Sequence, residues 1–285
     1  MMGAPESPPC PSGGASTRRV QTWQDGAAAD GLDTLAEEVP VALEFNGISH
    51  AVMLATPLDL EDFALGFALS EGIVDTPKEV FDIQVETGCN GITVRLEIAA
   101  GCFARLKEMR RNLTGRTGCG LCGTESLAHA IRPLRPLAQP CPLQADAIGR
   151  ALAGLRQHQL LQQATGATHA AAWCSDDGTL RLLREDVGRH NALDKLIGAA
   201  LASRPTELDG FVVVTSRASM EMVQKTVTAG FSSLVAISAP TRLAVDLAEQ
   251  AGLCLVGFAR PERWVAYSHA ERIDRPAGNP TPNPD

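Results

Sequence analysis

The chain has 285 residues, of which 45% are hydrophobic and 20% charged. That composition suits a folded protein of one large domain or two modest ones, with a sizeable core. Asp and Glu outnumber Lys and Arg, 33 to 25, for a formal net charge of -8. This argues against a surface that coats nucleic acid, and it leaves room for a local basic pocket for a phosphorylated ligand.

Eight cysteines (Cys10, Cys89, Cys102, Cys119, Cys122, Cys141, Cys174 and Cys254) are scattered apart from one pair. A chain of this length needs no disulfide framework, so a reducing compartment is the expectation. No apolar run reaches membrane-spanning length, and residues 1–30 lack an apolar signal core. No membrane partner is expected, and the cytoplasm is the expected location.

In chain order, residues 1–35 read as a disordered tail on composition. Asn46-Gly47 between Val41–Phe45 and Ile48–Leu54 predicts a hairpin. Asp59–Ser70 predicts a helix with Leu60, Phe63, Ala64, Phe67 and Ala68 on one face, stopped near Gly72. Ile83–Glu86 and Ile92–Ile98 alternate as half-buried strands do, and Phe103–Asn112 reads as a short helix. Glu125–Ile131 reads as a helix, and the four prolines between Arg132 and Pro142 mark a junction.

The second half alternates more regularly. Ala145–Gln163 predicts one helix, and His169–Cys174 with Thr179–Leu183 predicts a hairpin. Helices are expected over Arg189–Leu201, Ser219–Ala229 and Thr241–Ala251. Phe211–Thr215, Leu234–Ile237 and Leu253–Phe258 are short apolar runs, as in strands buried on both faces. Alternation of this kind predicts an α/β sandwich around a largely parallel sheet, with ligands beyond the carboxyl ends of the strands. The expected organisation is therefore a tail (1–35), an α+β subdomain (36–131), a Pro-rich linker (132–142), an α/β domain (143–273) and a second tail (274–285).

Four stretches carry chemistry. Gly118-Cys119-Gly120-Leu121-Cys122-Gly123 is a Cys-x-x-Cys pair among glycines, with Arg116 beside it and Arg110 and Arg111 further off. Glycines let a loop bend sharply, and positive charge favours the thiolate. The pair reads as half of a zinc site, a redox pair, a sulfur carrier or two inert buried thiols. Zinc lacks a second ligand pair, so no structural zinc is expected, and the glycines make an immediate helix start unattractive. The run Arg184–Lys195 places Arg189 and His190 at a strand-to-helix junction, either an anion cluster or a capped helix with solvated charges. Thr215–Lys225 offers Arg217, Lys225 and a helix N-terminus to phosphate, or ordinary capping by Ser216 or Ser219. Phe258-Ala259-Arg260-Pro261-Glu262-Arg263 ends the last buried strand, where two arginines suit a polyanion or simply face water.

Taken together, these stretches resemble the FdhD family of formate dehydrogenase accessory proteins, sulfur carriers, over about Val39 to Tyr267. The carriers of the resemblance are Ala64–Val74, Gly118–Gly123, Glu185–Lys195, Arg217–Lys225, Ser238–Thr241 and Leu255–Phe258. It implies a C-terminal domain similar to the cytidine deaminase fold, without deaminase chemistry. His190-Asn191-Ala192 stands where His-x-Glu would be needed, and no Pro-Cys-x-x-Cys follows. It implies a sulfurtransferase-like carrier rather than a conventional metabolic enzyme. A cysteine desulfurase would pass persulfide sulfur to Cys119, and the carrier would deliver it to the molybdenum of bis(molybdopterin guanine dinucleotide) before that cofactor enters formate dehydrogenase. Cys122 would assist release or share the carrier role. The cofactor segment falls on Phe258 to Arg263, with Arg217, Lys225, Arg189 and His190 as further candidates, and free guanine nucleotide is a candidate ligand. A homodimer is implied as well. A non-catalytic cofactor chaperone and a thiol switch are the competing classes.

Overall fold

The computed structural model describes residues 13–114, 134, 136–137, 142–202 and 208–274, with backbone only for 109–114. Its first elements are β1 (Ala15–Gln24), β2 (Ala27–Ala36), β3 (Val39–Phe45), β4 (Ile48–Ala55), α1 (Leu60–Ser70), β5 (Val80–Gly88), β6 (Gly91–Ile98) and α2 (Ala100–Thr114). There follow β7 (Leu143–Gln144), α3 (Ala145–His158), α4 (Leu160–Thr165), β8 (His169–Cys174), β9 (Leu180–Asp186) and α5 (Arg189–Ala202). The last are β10 (Phe211–Val214), α6 (Met220–Thr228), β11 (Ser233–Ala236), α7 (Arg242–Ala251), β12 (Cys254–Arg260), β13 (Arg263–Ser268) and β14 (Ile273–Asp274).

The chain divides into two units that are not continuous in sequence. One comprises Met1–Arg132, Gln159–His169 and Arg184–Arg204, the other Pro133–His158, Ala170–Leu183 and Pro205–Asp285. This differs from the expected division into 36–131 and 143–273. Two segments from the second half, with α4 and α5, fold with the first unit.

The first unit holds a sheet of order β4-β3-β6-β5, in which β3 runs parallel to β6 and the other pairs are antiparallel. The hairpin expected at Asn46-Gly47 is present, with both residues at positive φ, 46° and 78°, the geometry a tight two-residue turn demands. Alternation then buries Val39, Val41, Leu43 and Phe45 on one face, with Ile92, Val94, Leu96 and Ile98 beside them. Helix α1 packs against β5 and β6 and, more extensively, against α5. Its buried Phe63, Ala64, Phe67 and Ala68 lie on the expected face. Gly66 and Gly198 make the α1–α5 approach possible. A Cβ on Gly66 would overlap the Asp194 carbonyl, and one on Gly198 the Asp62 carbonyl.

Residues read as a disordered tail instead form β1 and β2, antiparallel in unbroken register from Ala15↔Ala36 to Gln24↔Ala27. The turn is Asp25-Gly26, with φ 53° and 81°. That dipeptide carries a hairpin signal, but ten backbone pairs are invisible to a reading by composition.

The second unit holds a sheet of order β13-β12-β11-β10-β8-β9. Strands β10, β11 and β12 are parallel, whereas β8 runs antiparallel to β10 and β13 antiparallel to β12. The sheet is thus mixed, a correction to the largely parallel expectation, and β13 was not foreseen. Every residue of β10 and β11 is buried, as the apolar runs require. Helix α3 places Ala147, Ile148, Ala151, Leu152 and Leu155 against Phe211, Val213, Val235, Cys254 and Val256. The single helix expected over Ala145–Gln163 is broken at Gln159 into α3 and α4, and Gln159 takes a non-helical conformation (φ -77°, ψ 70°). The expected helix over 125–131 and the tail from 275 lie outside the described residues.

Candidate functional site

The parallel strands end together, and their following loops are knitted into one edge. Ile237 N–H donates to the Val214 carbonyl at 3.0 Å, Thr241 N–H to Ala218 at 3.0 Å, Ser238 N–H to Ser216 at 3.4 Å and Phe258 N–H to Ser238 at 3.2 Å. A bridge joins Ala218 to Pro240. This is the rim expected to bind ligands in an open α/β sheet. Of the sequence candidates, the structure places Arg217 and Phe258 to Arg263 in the loops and strand ends of this rim.

Phe258 is 45% exposed and sits at φ 51°. That left-handed conformation is costly for a residue with a Cβ. The register slips between Gly257 and Arg260, so β12 bulges where Phe258 turns outward. Gly257 allows this, because a Cβ there would lie 2.8 Å from Pro240 Cδ and 3.0 Å from Tyr267 Cε2. Ala259 is buried, while Arg260, Pro261, Glu262 and Arg263 are exposed and form the β12–β13 turn. Arg260 Nη1 donates to the Ile237 carbonyl at 2.7 Å and to the carbonyl of its neighbour Ala259 at 2.8 Å, so one edge of its guanidinium is anchored to the rim. Pro261 is seated over α3, where a Cβ on Gly149 would lie 2.7 Å from its carbonyl oxygen.

Ser219 is the N-cap of α6 but makes no side-chain cap bond, and its Oγ is inaccessible and, among the described residues, without a hydrogen-bond partner. Arg217, two residues earlier, is exposed. By contrast Thr241 caps α7 conventionally, accepting from Ala244 N–H at 3.4 Å. Lys225 is buried in α6 at 6% exposure, so it is no open cation at the rim. Arg189 and His190 belong to the first unit, at the start of α5, and both are half-buried; the Arg189 Nε has no hydrogen-bond partner among the described residues.

Around them the Glu185–Lys195 motif proves to be a structural lock within the first unit. Asp186 and Lys195 are wholly buried and paired at 2.7 Å. Asp186 accepts from Thr56 N–H at 3.0 Å, Gly188 N–H at 2.8 Å and Asn191 Nδ2 at 3.0 Å, while Lys195 donates to the Thr56 carbonyl at 2.9 Å. Burial pushes the Lys195 ammonium below its ordinary range, against the opposing pull of Asp186. Glu185 accepts from Leu161 and Gln162 N–H at 2.9 and 2.8 Å, which caps α4. Asp194 accepts from Ser70 Oγ at 2.6 Å. The sequence left this motif between an anion cluster and a capped helix with solvated charges, and no local signal tells a buried lock from either. His169 shares the surroundings of Arg189 and Asp186, and desolvation, then Arg189, push its imidazole below the ordinary value.

The Cys119–Cys122 pair lies outside the described residues. Among the described cysteines only Cys89 is exposed, and Cys102, Cys174 and Cys254 are buried. No helix among the described residues is long and apolar enough to cross a membrane.

Exposed Arg217, Arg260 and Arg263 lie at the strand ends of a mixed α/β sheet, and guanidinium groups are chemically suited to anions. The family follows from the sequence: residues 36–274 match the model of the FdhD/NarQ family, and the chain belongs to that family. Its relatives include a sulfur carrier protein FdhD of Cupriavidus necator, 54% identical over 97% of this chain and 98% of the relative. Another, of Variovorax paradoxus, is 57% identical over 87% of this chain and 89% of its own. The fold is similar to the crystal structure of a putative formate dehydrogenase accessory protein from Desulfotalea psychrophila. That likeness has a TM-score of 0.74 at 25% identity, over 91% of this chain and 99% of the other.

Proposed function

We propose that the chain is a sulfur carrier serving formate dehydrogenase, and that Cys119 carries the sulfur. The observation that carries this reading is the family membership, with relatives at 54% and 57% identity named sulfur carrier proteins. The Cys119 thiolate attacks the outer sulfur of a desulfurase persulfide. The S–S bond of the donor breaks, the donor leaves as a thiolate, and Cys119 becomes a persulfide. Cys122 then attacks the Cys119 sulfur, forming a Cys119–Cys122 disulfide and freeing hydrosulfide, or it shares the carriage.

The client is the bis(molybdopterin guanine dinucleotide) cofactor, taken as cargo, whose molybdenum receives the sulfur. Its pyrophosphates suit Arg217, Arg260, Arg263 and the Ser219 hydroxyl at the α6 N-terminus, and its guanines suit the outward Phe258 ring. Two observations support the fit: the Ser219 Oγ lacks a partner among the described residues, and Phe258 is held out in a strained conformation. The second unit reads as a cytidine deaminase-like sandwich, a reading supported by its β9-β8-β10-β11-β12 order with β8 antiparallel to β10. The working form is a homodimer in the cytoplasm, with a cysteine desulfurase as donor.

Intact mass after incubation with a cysteine desulfurase and cysteine tests the mechanism. Wild type is expected to gain one sulfur, about 32 Da, that thiol removes. Cys119→Ala is expected to gain none, and Cys122→Ala to keep it. A Cys119→Ala protein that is folded and still takes up labile sulfur overturns the assignment. Cofactor binding without sulfur on any variant would favour a cofactor chaperone instead.

A further inference from the structure

We propose that the β1–β2 hairpin is the contact arm for a second copy of this chain, two hairpins packing face to face with β1 of one copy over β2 of the other. The inference names a surface for the two-fold assembly proposed above and is independent of the sulfur chemistry. The hairpin pairs ten residues without a break and, among the described residues, forms a sheet of two strands only. A two-stranded ribbon is marginal in water and needs cover on a face. One face has some: Val20 and its register partner Gly31 are half-buried, and β2 packs against α4. The other face is open, with Trp23 74% and Leu32 72% exposed.

The register makes that open face self-complementary. It sets Trp23 opposite Ala28, Gln21 opposite Asp30 and Arg19 opposite Leu32. A two-fold axis along the ribbon lays each residue over the register partner of the other copy. The indole then covers the small Ala28, the Gln21 amide donates to the Asp30 carboxylate, and the Arg19 stem lies on Leu32. Arg19 also comes within one level of the opposing Asp30, so opposite charges meet at the same place in both halves. A groove of about 610 Å³ lined by Arg19, Val20, Gln21, Asp30, Gly31 and Leu32 gives the side chains of a second ribbon room to enter. Because each side supplies what the other lacks, no foreign partner is required, and isologous two-fold pairs are the commonest oligomers.

Sedimentation velocity of the full chain over a wide concentration range tests this, with circular dichroism as the control for folding. Wild type is expected at twice the chain mass, and Trp23→Ser or Leu32→Asp is expected to weaken association about tenfold or more. Treatment of an equal mixture of Gln21→Cys and Asp30→Cys proteins with a short bismaleimide, which spans the roughly 10 Å between stacked faces that a disulfide cannot, is expected to give a covalent dimer above the wild-type background. A mixture of Thr22→Cys and Asp30→Cys, with Thr22 on the other face, is expected to give none. A dimeric wild type whose variants associate as tightly, with no selective cross-link, overturns the hairpin while leaving the dimer. A wild type that is monomeric throughout overturns both. If a substitution in the hairpin unfolds it, the cross-link comparison decides alone.

Discussion

Cys174 and Cys254 sit in the core of the second unit, where water cannot stabilise a thiolate. Burial pushes the Cys174 thiol up to about 12 and the Cys254 thiol to about 11; Cys102 in the first unit is raised as well, again by burial and then by Glu79. A rise of about three units leaves roughly a thousandth of the thiolate at a given pH. Iodoacetamide at pH 8 on the folded protein is therefore expected to label Cys89 at least about a hundredfold faster than Cys174 or Cys254. Peptide mass spectrometry reads the rates, and equal rates would contradict the burial. The linkage has a definite sign. A folded thiol pKa above the unfolded value of 9.0 stabilises the protein fully below pH 9, and that stability is lost as pH rises toward about 12. Cys174→Ala is expected to flatten the fall of urea midpoint above pH 9.

The Asp186–Lys195 pair makes a second residue-scale prediction. Removing one partner leaves a buried charge uncompensated, so Lys195→Ala is expected to destabilise by about 3–5 kcal/mol in urea titrations. Asp186→Asn with Lys195→Met is expected to cost less than the sum of the two single changes, because no lone charge remains. The motif itself was legible as a functional-group cluster, but its role was not. Asp186 meets Thr56 across 130 residues of sequence, and no local pattern encodes that partner.

At the scale of elements, the α1–α5 crossing depends on backbone approaching backbone. The Gly66 and Gly198 hydrogens face the carbonyls of the opposite helix, leaving no room for a methyl group. Gly66→Ala is expected to cost about 3 kcal/mol or more, or to prevent folding, measured by urea titration, whereas Ala64→Gly would cost through lost packing and helix propensity instead. A stable Gly66→Ala protein would mean that the helices can slide apart. The amphipathic faces of α1 and α3 were readable because one helix face repeats every three to four residues. The break at Gln159 was not, because its cause is tertiary: the Glu185 carboxylate gathers the first amides of α4 from another strand. The turn at Asn46-Gly47 was read and the one at Asp25-Gly26 was not, although both use the same chemistry. Apolar alternation flanked the first alone.

At the scale of the molecule, the two units interleave along the chain. The second half donates α4 and α5 to the first unit, and Asp186 and Lys195 with them. A fragment comprising residues 143–274 would leave that ion pair without the Thr56 backbone that satisfies it. It is expected to be unfolded or aggregated by circular dichroism and sedimentation, and a cooperative, soluble fragment would show that the Pro-rich junction at 132–142 is a true domain boundary.

The sequence by itself determined the family, most helices and strands, the buried parallel strands and the rim on which Arg217 and Phe258 to Arg263 lie. Those features rest on neighbours in the chain: periodicity, turn residues and ordered motifs. Only the tertiary structure decided that β1 and β2 pair, that β13 closes the sheet, that Lys225 is buried and that Glu185–Lys195 is a lock. Each of these depends on contacts between distant residues. Their free energy comes from desolvation and from hydrogen bonds that exist only once the chain has closed on itself.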